Sequence, residues 1–187
     1  MAILGSADSE RTGGRGRPGA KWLCAVLLLL PLFSSGCRTR SAAESPVRGV
    51  RVGDVLEVGD PARRASVRLV VQGLEADQAG QLRRARGSYE RALQVDPTNP
   101  YAYLALARYN LDGGTPGDAS DLVDQAAALF EAEGLRSPEV DVQLIGLRGW
   151  DLQSRGRPGE ASLYLERAAG LDRVVWEDGY LSAEELR

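Results

Sequence analysis

The chain has no histidine, and Lys21 is its one lysine; the other basic residues are arginine. Without His, a protein lacks the side chain that most often serves as general base and metal ligand. Cysteine is almost as scarce. Cys24 and Cys37 both lie near the N-terminus, so no disulfide staples the rest of the chain, and its fold rests on packing. A basic surplus is missing too: 23 basic residues against 26 acidic ones leave a net charge of −3. A nucleic-acid footprint needs clustered positive charge. No nucleophile stands beside a base in any recognisable pattern. An enzyme built here would have to work with Asp, Glu and Tyr alone, and the reading is of a non-enzymatic protein with no cofactor and no metal. Asp118, Asp121 and Asp124, at helical spacing, read as a solvated face rather than a metal site. Asp112-Gly113-Gly114 reads as a helix-ending loop, because no phosphate-binding lysine follows.

What is present begins with an address. Residues 1–21 are polar and Gly-rich, and Arg11, Arg15, Arg17 and Lys21 make their flank positive. Trp22 to Phe33 then run without a charge. As a helix that segment would reach roughly 18 Å, against the ~30 Å of a bilayer core, so its size fits a secretory signal better than a membrane span. Cys24 is filler within the apolar run. The next residues, Ser34-Ser35-Gly36-Cys37, put small side chains before a cysteine, and they resemble the lipobox of bacterial lipoproteins. Ser34 stands where that family most often has Leu. The resemblance implies cleavage before Cys37 and a diacylglyceryl thioether on its thiol, usually with further acylation by a fatty acid such as palmitate. Two or three such chains anchor firmly where one holds marginally. The plainer alternatives are an ordinary secretory signal with a chance cysteine, and an uncleaved anchor. In two-membrane bacteria Arg38 after the lipid site implies release to the outer membrane, with the protein facing the periplasm. The expected organisation is therefore a signal over 1–36, a lipidated N-terminus and flexible tether over 37–59, and a folded domain over 60–187. Val50 to Val58 alternate weakly, and a short strand pair around Gly53-Asp54 is the competing reading of the tether.

The remainder repeats itself. Gly-x₄-Ala-x₆-Ala occurs at Gly80/Ala85/Ala92, Gly114/Ala119/Ala126 and Gly156/Ala161/Ala168. The second interval is longer than the first, which places an insertion near 131–138. Three copies follow, about 66–99, 100–133 and 142–175. The first supplies Leu69, Gly73, Gly80, Ala85, Tyr89, Ala92 and Pro97. The second supplies Tyr103, Leu106, Ala107, Gly114, Ala119, Val123 and Ala126, and the third Ile145, Gly149, Leu152, Gly156, Ala161, Leu165 and Ala168. This order of bulky and small residues resembles the tetratricopeptide repeat (TPR). Gln72 and Arg148 stand where that pattern has Leu, Ala76 and Asn110 where it has an aromatic, and copies two and three lack its late Pro.

Independent punctuation agrees. Asp60-Pro61, Asn99-Pro100, Thr115-Pro116 and Ser137-Pro138 each pair a capping residue with a proline suited to the first helical turn. Helices are predicted near 61–79, 82–95, 100–111, 116–133, 138–155 and 158–171. The fold class is all-α: an α-solenoid of three TPR-like antiparallel hairpins, closed by a short C-terminal cap. Ser182 to Glu185 form a capping box, and the tail from Arg173 is read as covering the apolar end of the third pair. A partner-binding tail is the alternative.

In the resembled family the first helix of each pair lines an inner face. Carried over residue by residue, that face is Val67, Val70, Leu74 and Asp77, then Tyr101, Leu104, Arg108 and Leu111, then Gln143, Gly146, Trp150 and Gln153. Tyr, Trp and Arg are enriched at binding hot spots. The resemblance thus implies a peptide-binding groove of Val70, Leu74, Tyr101, Leu104, Arg108, Leu111, Gln143, Trp150 and Gln153, with Arg108 orienting a ligand carboxylate. The competing reading buries Val70, Leu74, Leu104 and Leu111 between helices and packs Trp150. The Lys and Asn by which chaperone-tail binders hold a terminal carboxylate are absent from this set. The expected function is a lipid-anchored scaffold or adaptor for a protein or peptide partner in the bacterial envelope, touching no nucleic acid and showing no small-molecule substrate. The alternative is a structural envelope component that self-associates through its repeat ends.

Overall fold

The computed structural model describes residues 47–113 and 115–187. The segment read as a secretory signal, the lipobox-like residues and Cys37 lie outside the described residues. Six long helices account for most of what is described: α1 (Pro61–Gln78), α2 (Leu82–Val95), α3 (Pro100–Asp112), α4 (Ala119–Ala132), α5 (Pro138–Ser154) and α6 (Pro158–Leu171). Two one-turn helices, α7 (Arg173–Trp176) and α8 (Ala183–Leu186), follow. No strand occurs among the described residues.

The helix starts follow from side-chain capping. The Asp60 carboxylate accepts from the Arg63 N–H at 2.9 Å, and Asn99 from the Tyr101 N–H at 3.0 Å. Ser137 accepts from the Val140 N–H at 3.4 Å. Each satisfies a backbone donor that the first turn leaves open, and each precedes a proline that has no N–H to lose. Thr115-Pro116 behaves differently. Pro116–Asp118 form a 3₁₀ turn, and α4 starts at Ala119. Gly117, a poor helix former, sits inside that turn. The repeat glycines end the first helices: Gly80 and Gly156 take φ of +70° and +74°, the left-handed conformation that glycine adopts without penalty. Behind them the Gln81 N–H reaches the Ala76 carbonyl at 2.8 Å and the Arg157 N–H that of Leu152 at 2.9 Å. Both are Schellman closures.

Consecutive helices pack as antiparallel pairs, α1 with α2, α3 with α4 and α5 with α6, and the first helices touch in the order α1, α3, α5. The fold is an α-solenoid of three hairpins. Within a pair, closeness is set by residue size. A Cβ placed on Gly73 would lie 2.3 Å from the Tyr89 ring, and one on Gly149 would lie 2.8 Å from the Leu165 side chain. In the middle hairpin the equivalent residues are Ala107 and Val123, both buried. A large residue on the second helix thus faces no side chain on the first, and a smaller one faces a methyl group. The repeat alanines Ala85, Ala92, Ala119, Ala126, Ala161 and Ala168 are all buried.

Hairpins one and two are also joined by a buried polar chain. Asn99, while capping α3, donates through Nδ2 to Ser66 Oγ at 2.8 Å, and Ser66 donates to the Ala92 carbonyl at 2.7 Å. Arg63 binds Asp96 through Nε and the Thr98 carbonyl through Nη2 at 3.1 Å, and it lies 3.3 Å from Glu133. Burial pushes the Asp96 carboxyl up, but hydrogen bonds from Arg63 and Thr98 outweigh it and hold the group below the usual carboxylate range. The inserted length before the third copy divides in two. A short loop turns at Gly134 (φ +64°), and the rest extends α5 at its N-terminus.

Gly73→Ala is expected to lower stability by about 1–3 kcal/mol, the range for overpacking a filled site. Adding Tyr89→Val, which recreates the Ala107/Val123 combination, should return part of that loss. Thermal unfolding of the two single variants and the double variant measures the coupling.

Candidate functional site: an inner face covered by the chain's own ends

Of the nine residues expected to line a groove, Val70, Leu74, Tyr101, Leu104, Arg108, Leu111, Gln143 and Trp150 are buried, and Gln153 is exposed. They share a layer, because they lie on α1, α3 and α5, but that layer is not open. Two segments of the same chain lie over it.

The C-terminal segment does most of the covering. Trp176, 1% exposed, packs against α5 where Gly146 has no side chain; a Cβ there would come within 2.2 Å of the indole. Tyr180 stands edge-on to Trp150, with ring centroids 5.3 Å apart and planes at 89°, and its hydroxyl accepts from Gln153 Nε2 at 3.3 Å. Leu181 is buried over α3, where its carbonyl accepts from Arg108 Nη1 at 3.4 Å. α8 then reaches α3 and α1, with Leu186 fully buried. The tail therefore runs back across all three first helices. The expectation of a cap confined to the third pair is corrected: Gly146 leaves a slot that steers the indole inward, and the tail's apolar residues continue along the face.

The N-terminal segment, 47–59, was expected as a flexible tether or a strand pair, and it is neither. Val52–Val55 form a single 3₁₀ turn with Val52 fully buried. The Val50 N–H donates to the Glu139 carbonyl at 3.0 Å, its own carbonyl accepts from Gln143 Nε2 at 3.3 Å, and the Gly49 N–H donates to Asp172 Oδ2 at 2.8 Å. The two segments also hold each other. The Gly53 N–H donates to the Arg187 carbonyl at 2.9 Å, and Arg51 donates to that of Glu184 at 3.5 Å.

Arg108 was expected to present its charge to a ligand carboxylate. It has a carboxylate already: Asp77, one hairpin earlier on the same face, pairs with its Nη2, and Asp112 lies 3.7 Å away. Tyr89 OH sits 3.5 Å from the same Asp77 oxygen. Burial pushes the Asp77 carboxyl up, and the Arg108 charge opposes that. The Tyr89 phenol is pushed up as well, by burial and then by the Asp77 charge. A guanidinium that is 2% exposed and already bound to Asp77 and Leu181 does not stand open to an incoming anion, although its buried Nε has no hydrogen-bond partner among the described residues. The open groove is thus replaced by a closed, mixed core. The covering residues Val52, Trp176, Leu181 and Leu186 are what residue-by-residue transfer missed; their signal was the density of apolar side chains in segments without helical period.

Over 73 aligned residues the chain is 37% identical to Cellulose synthase operon protein C of Pseudomonas fluorescens (strain SBW25). The match takes in 34% of this chain, which spans 6% of the length of that curated relative. No family model matches the chain, and no solved structure does.

Arg108→Ala leaves Asp77 buried without its cation, and a loss of about 3–5 kcal/mol is expected. Replacing both, as Asp77→Leu with Arg108→Met, should cost much less, because neither charge then has to be kept from water. Denaturant unfolding of the single and double variants reads the difference.

Proposed function

We propose that this chain is a protein-interaction scaffold of the TPR kind, held at a bacterial envelope membrane by lipid on Cys37. The observation that carries the reading is the stack itself: three helix pairs, each locked by a small residue facing a larger one, with buried alanines recurring on the repeat's schedule. Such a stack presents long, rigid helix faces, the architecture that repeat proteins use for extended binding surfaces. The partial likeness to Cellulose synthase operon protein C supports a scaffold or protein-interaction role. The anchor rests on the lipobox-like Ser34-Ser35-Gly36-Cys37 alone.

Because the inner face is filled, a partner is assigned to the outer helices and the free end of the stack. There α6 and α7 expose Leu163 at 69% and Val174 at 89%, large apolar side chains that no described residue covers. The chemistry of the role is recognition, with no bond made or broken.

A photo-crosslinking residue at Leu163, compared with one at Trp150, tests the reading in cells. The Leu163 probe is expected to give a discrete membrane-fraction adduct that disappears with Cys37→Ala, and the Trp150 probe none. Absence of an adduct at Leu163, or membrane retention unchanged by Cys37→Ala, contradicts it.

A further inference from the structure

The outer helices of the first two hairpins carry opposite charge. α2 exposes Arg83, Arg84, Arg86 and Arg91 against the single acid Glu90, and α4 exposes Asp121, Asp124 and Glu131 with no base, extended at its start by exposed Asp118. Some of this charge is used locally. Arg86 binds Glu90 at 2.8 Å, Arg84 donates to Gln81 at 3.1 Å, and Asp124 meets Arg148 at 2.8 Å. Arg83, Arg91, Asp121 and Glu131 make no side-chain hydrogen bond or ion pair among the described residues. The two helices occupy one side of the stack, since α2 packs on α1, α4 packs on α3, and α1 and α3 are neighbours. Both are second helices of their hairpins and run in the same direction.

We propose that this face binds a second copy of the same chain through a two-fold axis lying between α2 and α4, parallel to both. Rotation about that axis lays α2 of one copy on α4 of the other and, in the same step, α4 on α2. Every attraction is made twice, as an isologous interface requires. Chain direction is preserved, so like levels meet: Arg83 and Arg86 at the start of α2 face Asp118 and Asp121 at the start of α4, and Arg91 farther along lies level with Asp124. Gly87, mid-face on α2 with nothing beside it, keeps a side chain out of the way. An axis across the helices would instead set arginine on arginine. An anionic membrane fits less well, because α4 makes the same side acidic beside α2. The charge on this side is balanced within itself, and its complement is itself.

Sedimentation of the full-length chain in mild detergent tests the interface, since ion pairs at a surface weaken as salt screens them. A dimer at low ionic strength that becomes monomer at high ionic strength is expected. Arg83→Glu with Arg91→Glu should be monomeric with its helical circular dichroism unchanged, and so should Asp121→Arg with Asp124→Arg. Mixing the two variants should restore a heterodimer. A wild-type monomer at low ionic strength, association that survives both reversals, or failure of the mixture to pair overturns the proposal. So does a wild type that stays monomeric while α2 reversal abolishes binding to phosphatidylglycerol vesicles, which would assign α2 to a membrane.

Discussion

An apolar face left over when three helix pairs are stacked has to be covered, and here the chain covers it with its own ends. Val70, Leu74, Leu104 and Leu111 would otherwise stand in water, at a cost of roughly 1.5–3 kcal/mol for each large aliphatic side chain. Trp176, Leu181, Leu186 and Val52 remove that exposure. The rest of the arrangement depends on it. Gly146 has no side chain because an indole lies there, and the carbonyls of Leu181, Val50 and Arg187 are satisfied from α3, α5 and the opposite terminal segment respectively.

The same covering explains a charged pair in so dry a place. Two ions taken from water lose their hydration, and their mutual attraction offsets this when geometry and added hydrogen bonds are good. Asp77 and Arg108 come from successive hairpins, so their pairing fixes how hairpin one meets hairpin two. Leu181 then ties the tail to the same guanidinium. Arg63, with Asp96, Thr98 and Glu133, does the corresponding work near the helix starts, where Ser66 and Asn99 add an uncharged link. Registry between hairpins is thus carried by polar contacts, and closeness within each hairpin by glycine and alanine.

Much of the fold was legible in the sequence because its causes are local. A capping residue before proline and a glycine after the last turn act within a few residues, and the observed helix limits fall within a residue or two of the predicted ones, α4 excepted, where Gly117 favours a 3₁₀ turn. Small residues at a fixed spacing marked the pairs. The candidate site was less legible. Transfer from a repeat pattern put Asp77, Arg108, Gln143 and Trp150 on one face, but whether that face is open depends on contacts between residues far apart in the chain, such as Gly49 with Asp172 and Gly53 with Arg187. Nothing in the period of either segment announces them. The tail's Trp, Tyr and Leu signalled burial without saying where, and Val50 to Val58, read as a tether, conceals in Val52 a fully buried side chain.

For function, the consequence is a change of surface. Under the proposed scaffold role, a partner belongs on the outer helices and the free end, because the inner layer is occupied and the terminal segments are structural members of the domain. Native-state hydrogen exchange of the tail tests this most directly. The Trp176, Leu186 and Arg187 amides, bonded to the carbonyls of Asp172, Ser182 and Ala183, and the Gly53 amide bonded to Arg187, are expected to exchange as slowly as those of α1 and α3. Exchange of residues 176–187 at the rate of a free peptide, with α1 and α3 still protected, would contradict the account.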